Sequence, residues 1–115
     1  MELVKKKCLP CKAGTLPLEE SKVNELLKET PAWVLKDGHL YKKFKFKNFV
    51  ETIKFVNAVA EIAEQEGHHP DFYVHYNKVE IELWTHAING LSENDFIIAA
   101  KIDKISKQQK PLSSQ

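Results

Sequence analysis

Residues 33–86, WVLKDGHLYKKFKFKNFVETIKFVNAVAEIAEQEGHHPDFYVHYNKVEIELWTH, hold two strand pairs with one long helix between them, and that order decides the fold. Trp33-Val34-Leu35 reads as a short strand. Asp37-Gly38 follows, and glycine supplies the positive φ that a tight hairpin needs. In the return strand Leu40, Phe44 and Phe46 share one face, while Tyr41, Lys43 and Lys45 share the other. This alternation marks a half-buried antiparallel strand. Asn48 suits an N-cap. Phe49, Ile53, Val56, Ala60 and Ala63 then recur at helical spacing, with Val59 and Ile62 widening the stripe. Gly67 is placed to cap the C-terminus. Residues 72–76 read as a third strand, with a turn at Asn77-Lys78. In the fourth, Val79, Ile81, Leu83 and Thr85 alternate with Glu80, Glu82, Trp84 and His86.

Working outward, Val23, Leu26 and Leu27 form the stripe of a helix that starts near Leu18 and stops at Thr30-Pro31, because a residue before proline is pushed out of the α region. Downstream, Asn89-Gly90 opens a loop. Ser92 with Asp95 forms a capping-box-like start, Leu91 and Phe96 can staple it, and a helix continues to Lys107. The expected fold class is α+β: a four-stranded antiparallel sheet with three helices packed on one face, ordered α-β-β-α-β-β-α. Residues 1–17 form an irregular N-terminal arm carrying Pro10, Gly14 and Pro17, residues 18–107 form one domain, and residues 108–115 form a polar tail.

The chain has 115 residues, enough to bury a core without metal or disulfide staples. Its formal net charge of +1 offers no global field to draw it to nucleic acid or membrane. Lys5-Lys6-Lys7 is only a weak basic patch. No apolar run could span a bilayer, and the first residues lack the apolar stretch of a signal peptide. The expected location is the cytoplasm, where Cys8 and Cys11 would stay mostly reduced.

Chemistry concentrates at His68, His69 and His86, three of the five histidines, all within nineteen residues. Imidazole, with an unperturbed pKa of roughly 6.5, both gives and takes protons near neutrality. His68 follows a helix end, and Pro70 holds His69 extended. Antiparallel pairing of the third and fourth strands returns His86 to the same corner. Glu64 lies one turn before His68, where it orients that histidine or, as composition favours, is a solvated helix residue. A metal reading has His68, His69, His86 and the Cys8-x-x-Cys11 pair in its favour. Against it, adjacent histidines on an extended chain point different ways, and no second closely spaced ligand pair exists. No metal is therefore expected.

Glu64-x-x-x-His68-His69-Pro70, Tyr76-Asn77-Lys78-Val79, Thr85-His86 and Leu91-Ser92-x-x-Asp95 together closely resemble the pterin-4a-carbinolamine dehydratase family. The likeness extends from about Leu18 to Ile105, including Trp33, and the Cys-x-x-Cys arm resembles the start of many non-animal members. It implies the α+β fold, a homodimer or homotetramer, and dehydration of 4a-hydroxytetrahydropterin to quinonoid dihydropterin with no metal and no cofactor. It also implies a place beside an aromatic amino acid hydroxylase in pterin recycling. His68 and His86 would be the acid–base pair, and His69 would bind and orient substrate. Trp33 would pack on the pterin ring, Glu64 would orient a histidine, and Asp95 would support His86 or cap its helix. Pro70, Tyr76 and Thr85 would support the pocket. Two residues depart from the family pattern: Gly67 stands where animal members carry an acidic residue, and Trp84 replaces a small one. In animals a member doubles as a dimerisation cofactor of a homeodomain transcription factor, so a non-catalytic protein-binding module is the alternative. A pterin enzyme of molybdenum-cofactor metabolism is another.

Overall fold

The first hairpin turns at Asp37 (φ 52°) and Gly38 (φ 81°), the double positive φ that a two-residue turn between twisted strands requires. It joins β1 (Val34–Lys36) to β2 (His39–Lys45), with Lys36 opposite His39. The computed structural model describes residues 3–10 and 14–109, with side chains as far as Lys107. Before the hairpin lies α1 (Glu20–Leu27), extended by a turn of i→i+3 bonds that ends at Thr30. After it come α2 (Phe49–Glu66), β3 (Asp71–His75), β4 (Lys78–Leu83) and α3 (Glu93–Gln109). The sheet order is β1-β2-β4-β3, antiparallel throughout. This is the expected α+β fold, in the expected element order.

One sheet face is the core. Leu40, Phe44, Val79, Ile81 and Leu83 are fully buried against the helices. The opposite face carries Tyr41, Lys43, Glu80 and Glu82 and stays open to solvent to varying degrees. Lys42 nonetheless points inward, where its Nζ meets Asp103 of α3 at 2.8 Å. A buried cation is tolerated only with such a partner.

Asn48 caps α2 as expected, its Oδ1 accepting the Glu51 N–H at 2.9 Å. Gly67 ends the helix at φ 65°. The buried stripe differs from the expected one. Thr52, Phe55, Val59 and Ala63 face the core, whereas Phe49 is 49% exposed and Ala60 is exposed. Both stripes read as apolar, and the aromatic packing decides between them: Phe55 meets Phe44 at 4.8 Å and Phe46 at 4.9 Å. Thr52 can be buried because its hydroxyl donates to the Asn48 carbonyl at 2.8 Å. The second hairpin also turns one residue earlier than expected, at Tyr76-Asn77, with His75 opposite Lys78. That register keeps Val79, Ile81 and Leu83 inward, and a one-residue slip would expose all three.

The first described residues are tied down. Leu3–Lys5 form a single 3-10 turn, Leu3 is buried in the core, and Lys101 Nζ holds the Val4 carbonyl at 2.8 Å. Cys11 and residues 110–115 lie outside the described residues, while α3 continues through Gln109. Among the described residues, no helix is long and apolar enough to cross a membrane.

Candidate active site

Three elements end at one corner. The left-handed Gly67 turns the chain out of α2 and delivers His68, whose Nε2 lies 2.6 Å from Asp95 Oδ1 in the first turn of α3. Asp95 is completely buried. Its other oxygen accepts the Thr85 hydroxyl at 2.8 Å and the Ser92 N–H at 3.0 Å. A carboxylate only accepts, so His68 donates through Nε2 and keeps Nδ1 for other work. Asp95 thus supports His68 rather than His86. It also closes the capping arrangement with Ser92, where a carboxylate suits the helix N-terminus.

His69 points outward. Its Nε2 meets Glu64 Oε2 at 2.7 Å, with both side chains well exposed. Glu64 therefore orients His69, not His68. His86 begins a 3-10 turn after β4, stabilised by a Thr85–Gly90 bridge. Its ring stacks on Trp84 at 3.9 Å, and Trp84 also stacks on His39 at 4.6 Å.

A pocket of about 510 Å³ opens between these groups. His68, His69 and Pro70 line it from the corner, and Trp84, Thr85 and His86 from the exit of β4. Its remaining wall includes Cys8, Leu9 and Pro10 of the arm. The arm is fixed there by a double hydrogen bond: Leu9 N–H donates to Asn94 Oδ1 at 3.0 Å, and Asn94 Nδ2 donates to the Leu9 carbonyl at 2.6 Å. Cys8 N–H donates to Glu66 Oε1 at 2.8 Å. Sequence reasoning missed this wall. The one signal was an asparagine in the first turn of α3, which an unpaired helix start does not need.

Four expected site residues do not line the pocket: Asp95 and Glu64 reach it only through His68 and His69, and Trp33 and Tyr76 lie elsewhere. Trp33 is buried in the core, edge-on to Phe44, and its Nε1 donates to Asp103 at 3.1 Å. Tyr76 occupies the β3–β4 turn and stacks on Phe49, at the end of the hairpin away from the corner. Among the described residues, no group of three His, Cys, Asp or Glu side chains is gathered to hold a metal ion.

Residues 16–105 match the family described as pterin 4 alpha carbinolamine dehydratase. The chain belongs to that family. A provisionally named pterin-4-alpha-carbinolamine dehydratase of Rickettsia canadensis is 52% identical over 103 residues, covering 88% of this chain and 94% of the relative. One of Alkaliphilus metalliredigens, also provisionally named, is 47% identical over 104 residues, covering 89% and 94%. Among solved structures, a transcriptional coactivator/pterin dehydratase from Brucella melitensis superposes with a TM-score of 0.74 at 36% identity, covering 77% of this chain and 97% of that one. A pterin dehydratase-like protein identified as a RuBisCO assembly factor in the alpha-carboxysome gives a TM-score of 0.54 at 27% identity, covering 64% and 86%. The family supports a dehydratase role for this chain.

Proposed function

We propose that this chain dehydrates 4a-hydroxytetrahydropterin to quinonoid dihydropterin by histidine acid–base catalysis. The observation that carries the reading is the single pocket lined by His68, His69 and His86, with His68 held by buried Asp95. The reaction removes a hydroxyl from a tetrahedral ring carbon as water, and a ring nitrogen loses its proton. It needs an acid at the oxygen and a base at the nitrogen. No electrons change hands.

His68 suits the base. Its Nε2–H is committed to Asp95, so the neutral ring presents the Nδ1 lone pair. His86 suits the acid. Among the described residues neither of its ring nitrogens is hydrogen-bonded, so either can present an N–H to the departing hydroxyl. His69 binds and orients the pterin from the rim, steadied by Glu64. Thr85 and Pro70 shape the walls. Positioned acid–base groups supply about 10²–10⁴-fold in rate. The associated expectations are a homodimer or homotetramer, cytoplasmic location and a place in pterin recycling beside an aromatic amino acid hydroxylase.

The test follows quinonoid dihydropterin formation from freshly generated 4a-hydroxytetrahydropterin, by absorbance, with wild type beside His86→Ala. Catalysis that collapses in the variant supports the reading. A folded wild type that gives no acceleration sinks it and directs the search to another pterin, including a molybdopterin-related one.

A second reading, a non-catalytic protein-binding module, has one feature in its favour. Phe49, Val50, Tyr73, Val74 and Tyr76 expose apolar surface near the β3 edge, and a similar protein is a RuBisCO assembly factor. On that reading the histidines are dispensable, and an alanine at each leaves function intact.

A further inference from the structure

The three pocket histidines are held in two different ways. His68 and His69 each give a ring nitrogen to a carboxylate, Asp95 and Glu64. His86 has no such partner among the described residues, and it is exposed. Its backbone is fixed by the Thr85–Gly90 bridge and the 3-10 turn, but neither sets the direction of the ring. What lies against the ring is the indole of Trp84, 3.9 Å away and 23° from parallel.

Trp84 is itself clamped. His39 also stacks on it, at 4.6 Å and 5°, and the indole Nε1 donates to Asp71 Oδ2 at 3.3 Å. His39 is anchored in turn by Glu82, 2.9 Å from its Nδ1. The result is a column, His39–Trp84–His86, that runs from the open face of the sheet into the pocket. We infer that Trp84 is the positioning residue of His86, and that His39 sets Trp84 in place from outside the pocket.

Stacking has a consequence that a carboxylate partner would not. It directs the ring while leaving both nitrogens available to substrate. An aromatic face also accepts an imidazolium as readily as an imidazole, so the ring keeps its place when it gains or gives up a proton. A carboxylate partner would occupy one nitrogen, as it does in His68.

The kinetic part of this inference rests on the dehydratase reading; the spectroscopic part does not. His86 ring protons, assigned by comparison with His86→Ala, are measured by NMR in wild type, Trp84→Leu, Trp84→Tyr and His39→Ala. The indole ring current shifts them upfield in wild type, the shift disappears in Trp84→Leu, and it shrinks in His39→Ala. Ring protons at ordinary positions in wild type, or unmoved in Trp84→Leu, overturn the inference whatever the enzyme does. In the dehydration assay Trp84→Leu lowers kcat by about 10- to 100-fold, the scale of a misplaced catalytic group. Trp84→Tyr recovers most of that loss. Trp84 also lines the pocket, so His39→Ala provides the cleaner case because His39 does not. It lowers kcat with KM unchanged, and a loss confined to KM overturns the positioning role. An inactive wild type with shifted His86 protons sinks the dehydratase reading and leaves the column standing.

Discussion

Asp95 holds the corner together through three donors, from His68, Thr85 and Ser92. Asp95→Asn keeps its shape but puts an amide N–H toward His68 Nε2. That ring must then accept at Nε2 and carry its proton on Nδ1, so the proposed base has no lone pair to offer. Turnover is expected to fall by about 10²–10⁴-fold, as for loss of a general base. The melting temperature moves far less, and the His68 nitrogen shifts report the changed tautomer. His68→Ala gives a similar kinetic loss and leaves Asp95 Oδ1 without its imidazole donor. A second residue-scale prediction concerns the open sheet face, where the Tyr41 hydroxyl donates to Glu80 Oε1 at 2.6 Å. That bond, with burial and the nearby Glu80 and Glu82 charges, pushes the Tyr41 phenol up to about 12. The same bond, helped by His75 and Lys36 and opposed by burial, holds the Glu80 carboxyl below its usual range. A raised phenol favours the fold below its unfolded value of 10.0 and loses that contribution as pH rises toward about 12. A lowered carboxyl favours the fold above its unfolded value of 4.5 and loses that contribution as pH falls below it. Tyr41→Phe therefore costs about 1 kcal/mol at neutral pH. The gap from wild type narrows at both extremes in urea titrations. A gap that does not depend on pH would assign the cost to packing.

At the scale of elements, most of the fold was legible and part of the site was not. Asn48, Asp37-Gly38 and Gly67 announce their turns and caps because each acts on its own backbone, a local effect that spacing reveals. The phase of α2 depends on which apolar stripe meets Phe44 and Phe46, and a helix with two apolar stripes does not display that choice. His68 and Asp95 are 27 residues apart, so their pairing depends on how α2 and α3 pack. Residues one turn apart gave the nearer and wrong guess, Glu64 with His68. The arm reads as irregular in the sequence because its docking is made by side chains of other elements, Asn94 and Glu66. This arrangement predicts that Asn94→Ala frees residues 8–10 from the pocket. Removing two part-buried hydrogen bonds costs about 1–2 kcal/mol. Amide exchange at Leu9 accelerates, and KM for the pterin rises more than kcat falls. Unchanged exchange at Leu9 would mean that Cys8 and Glu66 hold the arm without Asn94.

Across the whole molecule, the pocket and the core bracing lie at different places along the same helix. Asp95 stands in the first turn of α3, and Asp103 lies eight residues further on, about 12 Å along the axis. Asp103 joins three parts of the fold: it accepts Trp33 Nε1 through both oxygens at 3.1 Å and takes Lys42 of β2 at 2.8 Å. Trp33 thus fastens the segment before β1 to the helix layer and the sheet, and its ring is only 2% exposed. The family likeness had placed it against the pterin, but within this chain its polar edge is spent on α3. Trp33→Phe separates the two roles. The smaller ring keeps much of the apolar contact with Phe44 but leaves Asp103 short of a donor, at a cost of about 1–3 kcal/mol. The expected result is a lower urea midpoint with kcat and KM for the pterin unchanged at a temperature where the variant is folded. If KM rises in a fully folded Trp33→Phe, Trp33 reaches substrate through some other arrangement, such as the pocket of a second copy of the chain in an oligomer. Measuring the same variant at two protein concentrations distinguishes that case, because a pocket completed by a second copy loses affinity on dilution.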